Sequence, residues 1–266
     1  MGMSQQLETD APFRDPAIWW GEGDYELRER AYAPIHDRLL ARLDPRPGER
    51  VLDVACGLGS VAAHAARAGA EVTAIDLAPS MIERASRRPE SVDWRIGDCQ
   101  ALPFDDDSFD VVVSNFGVIF APEPRRAAAE LSRVCRGRLG MTAWIGEPGS
   151  DLWAGCTARV TASRLWSSEA GVARLLPHFE LASEEGVWWL QGPSAEAIWS
   201  WVVRTSPPVR ARLRQMSATR IRETRAAWIR RYESFRIDDG IHIPHMYLLT
   251  TGRVSGTRGR TSSRGA

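Results

Sequence analysis

Between residues 50 and 145, short apolar runs alternate with segments whose apolar positions recur at helical spacing. Val51 to Ala55, Glu71 to Ile75, Val92 to Ile96, Phe109 to Ser114 and Arg138 to Ile145 read as strands, because β-branched and other apolar residues dominate them and turn residues bound them. Helices are predicted from Gly59 to about Arg67 with a stop at Gly69, over Ser80 to Arg88, and over 124–135. Strands alternating with helices imply βαβ units, hence an α/β fold with a mostly parallel sheet and helices on both faces.

Outside this block the periodicity loosens. Leu27, Ala31, Ile35 and Leu39 recur every four residues and predict an amphipathic N-terminal helix, kinked at Pro34. Further along, Gly186 to Leu190 is strand-like, and Ser194 is placed to cap a helix running to about Arg204. Pro207-Pro208 should break the chain before a helical stretch to Phe235. His245 to Thr251 reads as a last strand with Pro244 at its start, since proline has no N–H to give a ladder. The expected organisation is a helical lid over 1–44, a core over 45–150, C-terminal strands with inserted cap helices over 151–251, and a mobile tail over 252–266. There is no internal repeat.

Composition narrows the function classes. A chain of 266 residues with 44% hydrophobic content can bury a full core. Its formal charge is zero, so no molecule-wide field draws it to nucleic acid or an anionic membrane. Every basic side chain apart from histidine is Arg; the absence of Lys excludes a Walker-A lysine, a Schiff-base lysine and a lysine base. Cys56, Cys99, Cys135 and Cys156 form no C-x-x-C pair and are expected as reduced thiols. No apolar run is long enough to cross a bilayer, and a cytoplasmic location is expected. Residues 204–236 are rich in Arg and read as a solvated helical surface. The expected partner is a small-molecule substrate, with neither membrane nor nucleic acid; a homodimer is left open.

The chemistry concentrates at the strand ends. Asp53 ends the first strand, Gly57 and Gly59 follow in the turn, and a helix begins, a geometry that lets backbone approach a ligand closely. Asp76 ends the second strand, where a carboxylate can accept both hydroxyls of a ribose. Asp98 ends the third and can accept from an exocyclic amine such as that of adenine. The segment from Gly57 to Ala62 also satisfies the dinucleotide fingerprint G-x-G-x-x-A. Two features oppose that reading: Asp53 interrupts the apolar run before the first glycine, and an acid beside a pyrophosphate would repel it. An acid there suits a cofactor with a positive ammonium or sulfonium end.

Val51 to Gly59 (VLDVACGLG) resembles motif I of the class I S-adenosylmethionine-dependent methyltransferases, in their small-molecule branch with the ubiquinone/menaquinone-type core. Glu71 to Met81 (EVTAIDLAPSM), Gly97 to Phe104 (GDCQALPF), Ser108 to Phe116 (SFDVVVSNF) and the segment Pro124 to Trp144 resemble its later motifs. The resemblance implies a Rossmann-like sheet of seven strands and S-adenosylmethionine as cofactor. It implies Asp53, Gly57 and Gly59 around the methionine part, Asp76 and Leu77 beside ribose and adenine, and Asp98 and the Cys99 amide on the adenine. Ser114 would hold the methionine amino group; Ala55, Met81 and Tyr25 complete the expected cofactor set. Leu58 stands where the family usually has Thr, and Arg136-Gly137-Arg138 shortens the turn before the fifth strand, which leaves that strand's register open.

The acceptor is less legible. Nine of the eleven tryptophans fall in the lid and cap segments, which suggests an apolar or aromatic cavity, with core packing as the alternative. Trp20, Phe116, Trp188 and Trp189 are the expected pocket residues, and Trp20 and Tyr25 are placed to close over a sulfonium by cation–π attraction. Since neighbours in a strand face opposite ways, one of Trp188 and Trp189 should face inward and the other outward. Methyl transfer needs alignment more than it needs a base. Among His36, His64, His178, His242 and His245, the expected bases are His36 and His178; His242 and His245 are too isolated to bind a metal, and no metal site is expected.

Overall fold

The computed structural model describes residues 16–146 and 164–255. Strands β1 (Arg50–Val54), β2 (Glu71–Asp76) and β4 (Phe109–Asn115) form the centre of the sheet. Val51, Leu52, Val54, Val111, Val112 and Val113 are fully enclosed, as expected of parallel strands covered on both faces. β3 (Val92–Ile96) closes one end, and its Asp93 and Arg95 keep that edge charged and water-facing. Beyond β4 lie β5 (Cys135–Trp144), β8 (Gly240–Val254) and β6 (Phe179–Gly192), giving the order β3-β2-β1-β4-β5-β8-β6; the two-residue β7 (Arg236–Ile237) pairs with β8. The pairs from β3 to β5 are parallel, and β8 runs antiparallel to both β5 and β6.

The open register of the fifth strand is settled by a bulge. Phe109 pairs with Cys135 and Val111 with Arg138, so Arg136 and Gly137 together face Asp110. A Cβ on Gly137 would stand 2.4 Å from the Asp110 carbonyl oxygen, and the Arg136 guanidinium grips the Asp110 carboxylate at 2.8 and 2.9 Å.

Helices α3 (Ser60–Arg67), α4 (Pro79–Ala85) and α5 (Pro124–Val134) make the crossovers, the last two opening on proline at their first turn, where its missing N–H costs nothing, and α6 (Glu169–Leu175) packs beside α5. The lid is α1 (Pro16–Trp19) and α2 (Tyr25–Leu43). Helix α2 runs through Pro34, which lies on its exposed face, where the carbonyl left without a partner can meet water. Its Leu43 packs directly on Gly140 of β5.

The C-terminal half departs from expectation in two places. The strand predicted at Gly186 to Leu190 is the middle of the fourteen-residue β6, and Pro244 sits inside β8, opposite Trp189. β5 ends its pairing at Tyr247, so at Pro244 one side of β8 is a free edge where an absent N–H is tolerated. The paired ends of β6 and β8 thus run past the sheet and carry a second core with α7 (Ala195–Thr205), α8 (Pro207–Arg214) and α9 (Ala218–Glu233): Leu190, Ile198, Trp199, Val202, Trp228, Tyr232 and Ile243 are buried there. The Ser194 hydroxyl caps α7 by accepting from the Ala197 N–H. Helix α9 buries only Trp228 and Tyr232, so its arginines face solvent. Gly252 to Val254 belong to β8, Ser255 donates to the His178 carbonyl, and residues 256–266, like Cys156, lie outside the described residues. No described helix is long and apolar enough to cross a membrane.

Candidate functional site

The chain crosses from β1 to β2 on one side and reaches β4 on the other, so a crevice opens at the carboxyl ends of β1 and β4, where ligands bind in such sheets. On the β1 side the turn carries Ala55 at φ 56°, Gly57 at φ 57° and Gly59 at φ 77°. A Cβ on Gly59 would stand 2.2 Å from the Trp94 ring, so this glycine is required by packing. A Cβ on Gly57 would meet nothing within 4 Å, so this glycine borders open space. On the β4 side Phe116 has φ 53°, held by its N–H donating to the Thr142 hydroxyl at 3.0 Å. The Ser114 hydroxyl donates to the Val54 carbonyl at 2.8 Å and accepts from the Val118 N–H at 3.0 Å. Ser114 therefore ties the two strand ends together. Gly117 closes the gap, since a Cβ there would stand 2.5 Å from that of Ala55.

Three carboxylates stand at or just past the ends of β1, β2 and β3. Asp53 is 1% exposed and accepts the Ala62 N–H of α3 at 3.0 Å. Burial, with the charges of Asp76 and Glu29 adding to it, pushes its carboxyl up to about 7. Asp76 accepts from the Gly57 N–H at 2.8 Å and the Ala78 N–H at 2.9 Å, one on each oxygen, and burial raises its carboxyl also. Each oxygen keeps a lone pair for a further donor. Asp98 accepts from the Gln100 backbone at 2.8 Å and from the Gln100 side-chain amide. Cys99 is half-buried beside it, its thiol pushed up to about 12 by burial and the Asp98 charge.

The lid covers this side. Trp20 and Tyr25 pack against Leu58, Ala78 and Met81, which joins the lid, the glycine turn and the start of α4. Trp20 also meets Phe120 at 4.8 Å between ring centres. Glu29 of α2 bonds Arg88 at 2.9 Å, and Arg88 donates to the Leu58 carbonyl, so lid and turn are pinned together.

On the far side of the crevice lies an aromatic box. Phe116 stacks on Trp144 at 4.0 Å and 8°, Tyr32 meets Trp188 edge-on at 5.0 Å, and Trp188 lies 6.0 Å from Trp201. Its indole N–H donates to the Ala31 carbonyl at 2.8 Å, which fixes the ring to the lid helix.

The family profile described as "Methyltransferase domain" matches residues 52–138. The chain carries a class I methyltransferase core. S-adenosylmethionine is the cofactor of this family, and the open space beside Gly57, the free lone pairs of Asp76 and the lid packed over the turn fit it. An uncharacterized protein of Mycobacterium tuberculosis is 42% identical over 147 residues, covering 53% of this chain and 54% of its own length; this chain thus spans about half of that relative. Demethylmenaquinone methyltransferase of Renibacterium salmoninarum is 44% identical over 90 residues, covering 34% of this chain and 38% of its own. Nocamycin O-methyltransferase of Saccharothrix syringae is 37% identical over 141 residues, 49% of this chain and 50% of its own. Among solved structures, the YcgJ protein of Bacillus subtilis matches with a TM-score of 0.56 and 18% identity over 85% of this chain and 99% of its own. The [4+2]-cyclase SpnF matches with a TM-score of 0.53 and 24% identity over 84% of this chain and 81% of its own. At these identities the two structures establish the methyltransferase-core fold alone.

Around that core the expected acceptor residues separate. Phe116 and Trp188 belong to the aromatic box, whereas Trp20 stands over the glycine turn. Trp189 faces the other way and is 50% exposed, so it lines no pocket. His178 is also displaced: it precedes Phe179, which pairs with Val254 at the edge where β5 begins, so it is exposed at the opposite end of the sheet from the turn. His36 is buried on the side of α2 that faces Arg88 and His64, and desolvation pushes it down to about 4. No ring contact among the described residues joins it to the aromatic box. Sequence reading missed Tyr32, Trp144 and Arg28 and set His245 aside; only the register Trp188↔His245, invisible along the chain, brings that last residue to the box.

Proposed function

We propose that this chain transfers a methyl group from S-adenosylmethionine to a small apolar or aromatic metabolite, at oxygen, nitrogen or carbon, as a cytoplasmic enzyme. What supports the reading is that the acid-bearing turn after β1 and Phe116 of the aromatic box, which follows β4, come together where Gly117 packs on Ala55. The bound cofactor supplies an electrophilic methyl on a sulfonium. This chain's own residues do the rest. Asp76 and Leu77 hold the ribose and adenine, Asp98 and the Cys99 amide take the adenine edge, and Asp53 favours the cationic end. Ala55, Gly57, Gly59 and Met81 shape the bed, with Ser114 fixing the strand ends beside the methionine part. Trp20 and Tyr25 exclude water from the turn, and the box orients the acceptor. Alignment in a dry site supplies much of the rate of an in-line displacement in which charge disperses. The likeness to nocamycin O-methyltransferase over half the chain supports the small-molecule acceptor.

Incubation with methyl-labelled cofactor and a metabolite panel tests this, with label expected in an aromatic or apolar acceptor. Tight cofactor binding with no transfer to any acceptor would favour a non-methylating reaction such as cyclisation or decarboxylation. No cofactor binding at all would leave a ligand-binding protein.

A further inference from the structure

The aromatic box holds an imidazole nitrogen without a hydrogen-bond partner and a guanidinium without a carboxylate partner among the described residues. His245 of β8 stands 5.4 Å from the Trp188 ring and 6.0 Å from the Trp144 ring, and its Nε2 is shut off from solvent with no hydrogen-bond partner among the described residues. A buried imidazole nitrogen left unpaired costs stability that a bound polar group would recover. Arg28 of α2 lies 5.3 Å from the Trp201 ring centre and 5.7 Å from that of Tyr32. Its guanidinium donates to the Thr205 carbonyl and hydroxyl and to the Tyr32 hydroxyl, all neutral acceptors. No described carboxylate pairs with it, although nearly every other half-buried arginine near the lid has an acidic partner. A cation held among aromatic rings and answered only by dipoles favours an anionic guest. Burial first, and then the Arg28 charge, push His245 down to about 4, so the ring is neutral at physiological pH. Arg28 is the charged group acting on it, and the faces packed on it from β5 and β6 are the indoles of Trp144 and Trp188.

Resting on the methyltransferase reading above, we infer that the acceptor is a planar phenol or enol, that His245 Nε2 takes its proton, and that Arg28 stabilises the resulting oxyanion. The balance is simple. With its own proton on Nδ1, the imidazole offers the Nε2 lone pair; the O–H bond breaks, its electron pair stays on oxygen, and the imidazolium forms beside it. The oxygen then bonds to the methyl carbon of the sulfonium donor, the C–S pair remains on sulfur, and the imidazolium returns its proton to water. The indoles supply the flat walls that a conjugated ring requires and an aliphatic alcohol does not.

The test uses para-nitrophenol, whose neutral and ionised forms absorb separately, added to protein saturated with S-adenosylhomocysteine. The bound probe is expected to ionise at least about tenfold more readily than the free one, a downward shift of about one pKa unit. Arg28→Gln should abolish the shift and Arg28→Lys should keep most of it. His245→Gln, which can still hydrogen-bond but takes up no proton, should retain the probe and its ionisation, which Arg28 sets, and should lower at least about tenfold the rate at which an unactivated phenol is methylated from S-adenosylmethionine near neutral pH. If Arg28→Gln fails to fold, as judged by circular dichroism, the wild-type probe shift and His245→Gln carry the test. A probe bound in its neutral form, or a rate on the unactivated phenol that His245→Gln leaves unchanged, overturns the inference. Failure to bind the probe while calorimetry shows S-adenosylhomocysteine bound overturns the acceptor class and spares the methyltransferase reading; failure to bind the homocysteine itself sinks that reading instead.

Discussion

Asp53→Asn should stabilise the free protein at neutral pH and weaken its hold on the cofactor. The carboxyl is buried at 1% exposure with a single donor, the Ala62 N–H, and its pKa rises from the ordinary 3.8 to about 7. A raised folded pKa means that the folded state holds the proton more tightly than the unfolded chain. The associated stability is fully present below about pH 4 and is lost as pH rises through about 7. A shift of about three units at about 1.4 kcal/mol each gives a loss of about 4 kcal/mol by neutral pH. Asparagine keeps an oxygen for the Ala62 N–H and never ionises, so it escapes this loss. Chemical denaturation of both proteins from pH 5 to 8 isolates the effect, because the other titrating groups cancel in the difference. The variant's advantage should grow steadily toward pH 7 and then level off. A cationic cofactor end near Asp53 favours the ionised carboxylate, so wild-type affinity should rise over the same range with proton release, detectable by calorimetry in buffers of different ionisation enthalpy. A pH-independent stability difference, or a variant less stable throughout, would refute the idea that desolvation governs this carboxylate.

Asp76→Ala should lower cofactor affinity roughly ten- to hundredfold by calorimetry, through loss of charge-assisted hydrogen bonds worth about 1.5–3 kcal/mol. It should also cost some stability, because the Gly57 and Ala78 amides lose their acceptor. Gly57→Ala should fold with a penalty of about 1–2 kcal/mol for its left-handed φ, while its methyl group, entering open space, weakens cofactor binding further. Trp188→Ala should lower the melting temperature, at a cost of about 3–5 kcal/mol, and impair turnover; Trp189→Ala, at a half-exposed position, should change both little. Melting temperature should rise with S-adenosylhomocysteine and not with a nicotinamide dinucleotide at equal saturating concentration; a larger rise with the dinucleotide would reverse the choice of cofactor.

The cofactor half of this protein was written locally. A buried parallel strand is a run of Val and Leu, its loop is a pair of glycines, and its acid is the residue at the strand's end, so Asp53, Gly57, Gly59 and Asp76 could be read from spacing alone. Such features depend on backbone conformation within a few residues and survive whatever packs beyond them. The acceptor half was different. Trp188 and Trp189 are equivalent in sequence, and only the pairing of β6 with β8 sends one into the box and leaves the other half-exposed. His178 lay close to a predicted strand, but the direction of that strand put it at the wrong end of the sheet. Arg28 and His245 stand more than two hundred residues apart in the chain, and neither belongs to a motif. Their meeting depends on the lid helix crossing the extended end of an antiparallel pair, whose long-range register is set because one face is packed and the other meets water. Residue types and their spacing therefore marked the glycine turn and the acids at the strand ends, while tertiary contact decided which side chains share the aromatic box, because pairing partners far apart in sequence leave no periodicity along the chain.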